Sequence, residues 1–201
     1  MKKITFAIIA FFCCAFLHSS AQDLADLETY EKAMKPGAQL TYDVTVKDKQ
    51  FKLILTLKKL GDEVSFSWKT TDPDNKSGTV TMTAGATSEA VALANIFKGG
   101  DVKLEKETCL WVSKQVTNSV STTAQASLKV NGIADTSTVM GNTIGDFNFT
   151  VNGNIVVVPG SELQGGSNPK YTIDVLESAK FPLIFKLDIG WTAVLTEIKN
   201  P

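Results

Sequence analysis

Between residues 40 and 83 apolar side chains recur at every second position. Leu40, Tyr42, Val44 and Val46 alternate with Thr41, Asp43, Thr45 and Lys47. After a polar turn at 47–50 the parity flips, and Phe51, Leu53, Leu55 and Leu57 carry the apolar positions. Val64, Phe66 and Trp68 repeat the pattern among serines, and Val80 and Met82 give a weaker run among threonines. A period of two is the pleat of a β-strand, so this stretch predicts an antiparallel meander with one apolar face. The connection after Trp68, Asp72-Pro73-Asp74-Asn75, is turn chemistry. It fails as a calcium loop because Lys76, Ser77 and Thr83 occupy positions where a ligand, a glycine and a bidentate acid are needed.

Elsewhere the period changes. Leu24, Leu27, Tyr30 and Met34 fall three, three and four residues apart, which gathers them on one stripe of a helix over 23–35 stopped by Pro36-Gly37. That helix is expected on one end or edge of the sheet, the alternative being an N-terminal tail. A second helix is expected within 87–100. Thr87 or Ser88 can cap it, Glu89 suits its first turn, residues 90–97 are rich in helix formers, and Gly99-Gly100 ends it. Its sparse polarity predicts that it covers the apolar face of the meander.

Residues 103–107 form a charged run that reads as a solvated edge, and 109–112 a short strand. The stretch 113–118 fits one helical turn or a continued strand equally, and the Ser/Thr-rich 119–125 fits a loop or an edge. Strands then return. Ala126, Leu128 and Val130 precede Asn131-Gly132, and Phe147, Phe149 and Val151 precede Asn152-Gly153. Asn-Gly suits the type I′ hairpin turn, which needs positive φ at both central residues. Residues 155–158 are apolar on both parities and predict a strand buried on both faces. Residues 160–170 read as a loop, in which Ser167 and Lys170 match Ser-x-x-Lys, but Pro169 opposes the helix that chemistry requires. Tyr171, Ile173 and Val175 open a last strand group that runs to Ile198.

The first residues are set apart from the fold. Lys2 and Lys3 precede an uncharged run over 4–17, followed by Ser19, Ser20 and Ala21. These are the parts of a signal peptide over 1–21, with export to the periplasm or the extracellular space. Cys13 and Cys14 lie inside the apolar run without the small residues of a lipidation site, so no lipid anchor is expected. No second apolar run is long enough to span a bilayer.

Composition removes chemistry. All 20 basic residues of the 201 are lysines, and the single histidine, His18, falls within the signal segment. Cleavage after Ala21 leaves 18 lysines against 21 acids, a formal charge of −3 with the signs scattered, which offers nucleic acid no basic patch. Without histidine the chain lacks the usual nucleophile–base pairs and the commonest zinc ligand, and without arginine the bidentate fork for phosphates. Cys109 has no partner for a disulfide and reads as a small buried hydrophobe. Two-carboxylate hydrolysis stays open as a remote alternative, yet nothing in the spacing of Asp43, Asp62, Glu63, Asp174 and Asp188 singles out a pair.

An N-terminal helix, a meander, helices and further strands ending in Phe181-Pro182-Leu183-Ile184-Phe185-Lys186-Leu187-Asp188-Ile189-Gly190-Trp191 resemble secreted Gram-negative envelope proteins of unassigned function. Their sheets are similar to the curled half-barrel of LolA-type lipoprotein carriers. The resemblance implies a long sheet curved around helices, with a concave apolar face able to hold acyl chains. No functional residue carries over, and the arginine those carriers use is absent. The expected fold is mainly β (α+β), one domain over 22–201: a curved antiparallel sheet or half-barrel of about ten strands with two helices packed against it. The expected function is non-catalytic and free of cofactor and metal: binding an apolar or lipid-like ligand, lined by Tyr42, Phe66, Trp68, Trp111 and Trp191. The alternative is a structural or interaction module with a filled core and an envelope protein partner.

Overall fold

A computed structural model describes residues 23–95, 99–130, 137–166 and 170–201. The expected signal segment over 1–21, the expected Asn131-Gly132 turn, residues 96–98 of the expected second helix and Ser167–Pro169 lie outside the described residues. A first helix, α1, covers residues 23–33. The meander follows as β1 (Gln39–Val46), β2 (Lys49–Lys59), β3 (Val64–Thr70) and β4 (Ser77–Met82). Next come α2 (Ala84–Glu89), β5 (Ala92–Leu93), β6 (Gly100–Leu104) and α3 (Lys114–Thr123). The remaining strands are β7 (Gln125–Val130), β8 (Ser137–Val151), β9 (Asn154–Gly165), β10 (Tyr171–Leu176), β11 (Ile184–Asp188) and β12 (Thr192–Lys199). Twelve strands and three helices thus stand among the described residues, where about ten and two were expected. No described helix is long and apolar enough to cross a membrane.

All twelve strands join one sheet, ordered β5-β7-β8-β9-β10-β11-β12-β1-β2-β3-β4-β6. β8 also pairs in parallel with β12, through Thr150–Glu197 and Val151–Ile198. This closes β8 to β12 into a ring of five strands within the sheet; β7 and β5 continue from β8, and the meander extends from β12 as an open wing.

The meander holds the predicted register. Leu40 lies opposite Leu55 and Tyr42 opposite Leu53. Leu55 in turn faces Trp68 and Leu57 faces Phe66, which faces Val80. Directly opposed residues share a face of the sheet, and all of these side chains are buried. The β1–β2 turn is tighter than expected, two residues with Lys47 at φ 56°.

The cover over that face corrects the sequence reading. Residues 90–95 are not helical. Thr83, rather than Thr87 or Ser88, caps α2, its side chain accepting from the Ala86 N–H, and the helix stops at Ala90. The chain then runs extended: Val91 C=O accepts from Lys129 N–H (2.9 Å), Ala94 N–H donates to Thr108 C=O (2.7 Å) and Thr108 N–H to Ala92 C=O (2.9 Å). Backbone partners on both sides outweigh a helix propensity worth tenths of a kcal/mol per residue. The meander is covered instead by the strap from Thr108 to Ser113, all of it buried. Trp111 stacks on Phe66 at 5.8 Å, Cys109 N–H meets the Met82 sulfur at 3.4 Å, and Leu110 C=O accepts from Ile184 N–H at 2.8 Å.

The ring has its own core. Phe147 on β8 stacks on Phe185 of β11 at 4.5 Å. These strands are not neighbours around the ring, so the contact crosses its interior. Phe149 lies 6.2 Å from Phe185 and meets Tyr30 edge-on at 5.9 Å. Through Tyr30, α1 docks on the ring, with Tyr30 Oη donating to Phe181 C=O (2.7 Å) and Asp26 accepting from Val157 N–H (3.1 Å). Glu31 accepts from Ser178 Oγ and pairs with Lys180, each at 2.8 Å. Leu24 does not join the stripe; it is 68% exposed.

Three further expectations are corrected. Residues 160–165, read as a loop, continue β9, because β10 offers them a ladder from Gly160 to Gly165. Residues 119–123, read as a loop or an edge, belong to α3. The strand at 155–158 is not buried on both faces: Val156 and Val158 are, but Ile155 is 75% exposed. Asn152-Gly153 forms the expected hairpin turn, with φ of 51° and 83°.

Candidate functional site

α3 is built from poor helix formers, Val, Thr, Ser and Asn, so it depends on its ends and one face. Ser113 fixes the start. Its buried hydroxyl accepts from Val116 N–H (3.3 Å) and donates to Ala90 C=O (2.6 Å), joining the helix cap to the segment leaving α2. Ala124 ends the helix in the left-handed region and accepts from Gly141 N–H on β8 (2.9 Å). Gly141 also admits the helix: a Cβ there would lie 2.2 Å from Val120 Cγ1. Ser113→Ala is expected to destabilise the protein by about 1–2 kcal/mol, from loss of the cap and an unmet Ala90 carbonyl. Urea titration measures it, and a change below about 0.5 kcal/mol would contradict the cap's role.

Between these anchors α3 stands off the sheet and leaves an open groove of about 560 Å³. Val116 and Val120 form its helical wall, and Leu163, Val175, Leu176 and Pro182 its apolar floor. Polar groups edge it: Asn118 and Ser121 from α3, Asn142 from β8, Ser161 from β9, and Glu177 just past β10. Ser161 Oγ donates to Glu177 Oε1 at 2.6 Å. An apolar floor with a few convergent polar groups in several hundred Å³ is the form of a small-ligand site. On the other side of α3 lies a second hollow of about 360 Å³, lined mainly by polar residues such as Gln115, Ser119 and Gln125.

The residues expected to line a ligand lie elsewhere. Tyr42, Phe66, Trp68 and Trp111 are all buried in the core between the meander and the strap, and Tyr42 Oη donates to Ile184 C=O at 2.8 Å. None of the four borders the groove. Trp191 is half-buried at a recess of about 30 Å³ among Leu53, Leu93 and Leu187, room for a water rather than an acyl chain. The groove is therefore displaced from the meander to the outside of the ring. Cys109 is buried, and burial pushes its thiol well above the ordinary range, with Glu107 adding to the effect.

No protein-family model, curated protein or solved structure matches this chain.

One ionisable side chain defies its strand pattern. Asp174, read from the sequence as polar-facing, is 5% exposed, and its Oδ1 is buried without a hydrogen-bond partner. β10 is buried on both faces, with Tyr171, Ile173 and Val175 on one and Asp174 and Leu176 on the other. Register sets Asp174 between Glu162 of β9 and Lys186 of β11. Desolvation raises its pKa to about 6; Lys186 opposes that rise, while Glu162 and Asp188 add to it. Among the described residues no three His, Cys, Asp or Glu side chains converge to hold a metal ion.

The sequence held a signal for the groove wall. Val116, Val120 and Ala124 are spaced four apart after a capping serine, a helical stripe set in a Ser/Thr-rich run that reads as loop. It held none for Asp174, because alternation alone assigns that side to solvent.

Proposed function

We propose that this is a non-catalytic binding protein of the cell envelope that holds a small apolar or lipid-like ligand in the groove between α3 and the five-stranded ring. The observation that carries the reading is the groove itself: about 560 Å³, floored by Leu163, Val175, Leu176 and Pro182 and edged by hydroxyls, amides and one carboxylate. A ligand buried there removes apolar surface from water at about 25 cal/mol per Å². The charge-neutral run over 4–17 behind Lys2 and Lys3 supports export. The lack of histidine beyond residue 18 supports binding over catalysis. A fluorescent dodecyl amphiphile is expected to bind one per chain with micromolar affinity, measured by titration in detergent-free buffer. No saturable binding would overturn the reading.

A second reading, an interaction module with an envelope protein partner, draws on a different surface. Leu24 and Ile155 are strongly exposed, and the Asp26–Val157 hydrogen bond brings their segments together.

A further inference from the structure

The groove's charge carries the reading one step further, to the class of ligand. Among the described residues that line it, Glu177 is the one ionisable side chain; the others are aliphatic residues, glycine, hydroxyls and the amides of Asn118 and Asn142. Glu177 is exposed on the rim and accepts a hydrogen bond from Ser161 through Oε1, which fixes one oxygen of the carboxylate at the edge of the apolar floor. The nearest basic side chain in the sequence, Lys180, is taken up by Glu31 at 2.8 Å. Ser178, also on the wall, donates its hydroxyl to that same Glu31. The site therefore offers an apolar trough with a negative end and no lysine to receive an anion, and the whole chain has no arginine.

Resting on the proposed ligand-binding role, we propose that the groove selects amphiphiles with a cationic, N–H-donating head, an alkyl ammonium class, over fatty carboxylates. The alkyl chain lies along Leu163, Val175 and Val120, and the ammonium donates to the Glu177 carboxylate. An ionised partner roughly doubles the strength of such a hydrogen bond, whereas a carboxylate head would face Glu177 across the same gap and be repelled.

The test is calorimetric titration of the full-length folded protein with dodecylamine, dodecanol and dodecanoate, the ionic probes below their critical micelle concentrations and the alcohol below its solubility limit, at pH 7 and low salt. The expected order is amine, then alcohol, then carboxylate, with at least about tenfold between the first and the last. Raising the salt to about 150 mM should narrow that ratio. Glu177→Gln should bring amine and carboxylate within about threefold of each other, whereas Asp48→Asn, at the distant β1–β2 turn, should keep the full preference. Equal affinity for amine and carboxylate in the wild type, or a preference that survives Glu177→Gln, overturns the charge selection and leaves the apolar groove standing. Failure of all three probes to bind overturns the groove as a ligand site and the selection with it.

Discussion

Phe66→Ala is expected to lower the unfolding free energy by about 3–5 kcal/mol, the cost of emptying an aromatic-sized hole in a packed core. Phe66 is wholly buried, stacked on Trp111 and flanked in the sheet by Leu57 and Val80. The strap over it is held at Leu110 and Val112 by Ile184 and Pro182, so it cannot settle freely into the space left behind. For a domain of this length Tm should fall by roughly 10 °C or more, as read by thermal unfolding. A ligand-lining aromatic would behave otherwise: its loss would cost little stability and much affinity. A fall in Tm below about 3 °C would mean that this face of the meander is not filled core.

Asp174→Asn is expected to stabilise the protein, and only above the ordinary aspartate pKa of 3.8. The native carboxyl holds its proton to about pH 6, whereas an unfolded aspartate releases it near 3.8. Between those values the folded state binds more protons than the unfolded, so wild-type stability falls as pH rises through the window and stays reduced above it. The shift corresponds to about 2–3 kcal/mol at neutral pH. Below pH 3.8 both states are protonated and the difference vanishes. Asparagine keeps the shape and removes the charge, so its advantage should be absent at pH 3.5, grow through pH 5 and level off by pH 7. Thermal unfolding of both proteins across that range decides it. An Asn variant less stable than wild type at pH 7 would show that the Lys186 attraction outweighs desolvation.

The wing of the sheet could be read from alternation because one of its faces is buried and the other wet; Leu40–Leu55 and Leu57–Phe66 follow from parity alone. The ring could not, because it rests on pairings far apart in sequence. Thr150 beside Glu197 leaves no local trace, and closure buries the second face of β10 that a period-two reading gives to water. The helix expected within 87–100 failed over 90–95 for a related reason. Val91, Ala92 and Ala94 are taken into backbone pairing by β7 and the strap, partners 14 to 38 residues away. α3 was half legible: its cap and valine stripe are local, but its length against a Ser/Thr-rich composition depends on Gly141 and Ala90, which receive its two ends. Of the five aromatics expected to line a ligand, four are large side chains that the core took up, and Trp191 packs half-buried against it.

The ligand site is tested most directly by closing the groove from α3. Ser121 faces the groove and Ser119 the hollow on the helix's other side, and both lie toward the surface of the same helix. Titration of the dodecyl probe into Ser121→Trp and Ser119→Trp compares a blocked groove with an equal burden on the helix. Ser121→Trp should lose at least about tenfold in affinity, and Ser119→Trp should change by less than about twofold. Equal affinities in the two variants would mean that the groove does not hold the ligand.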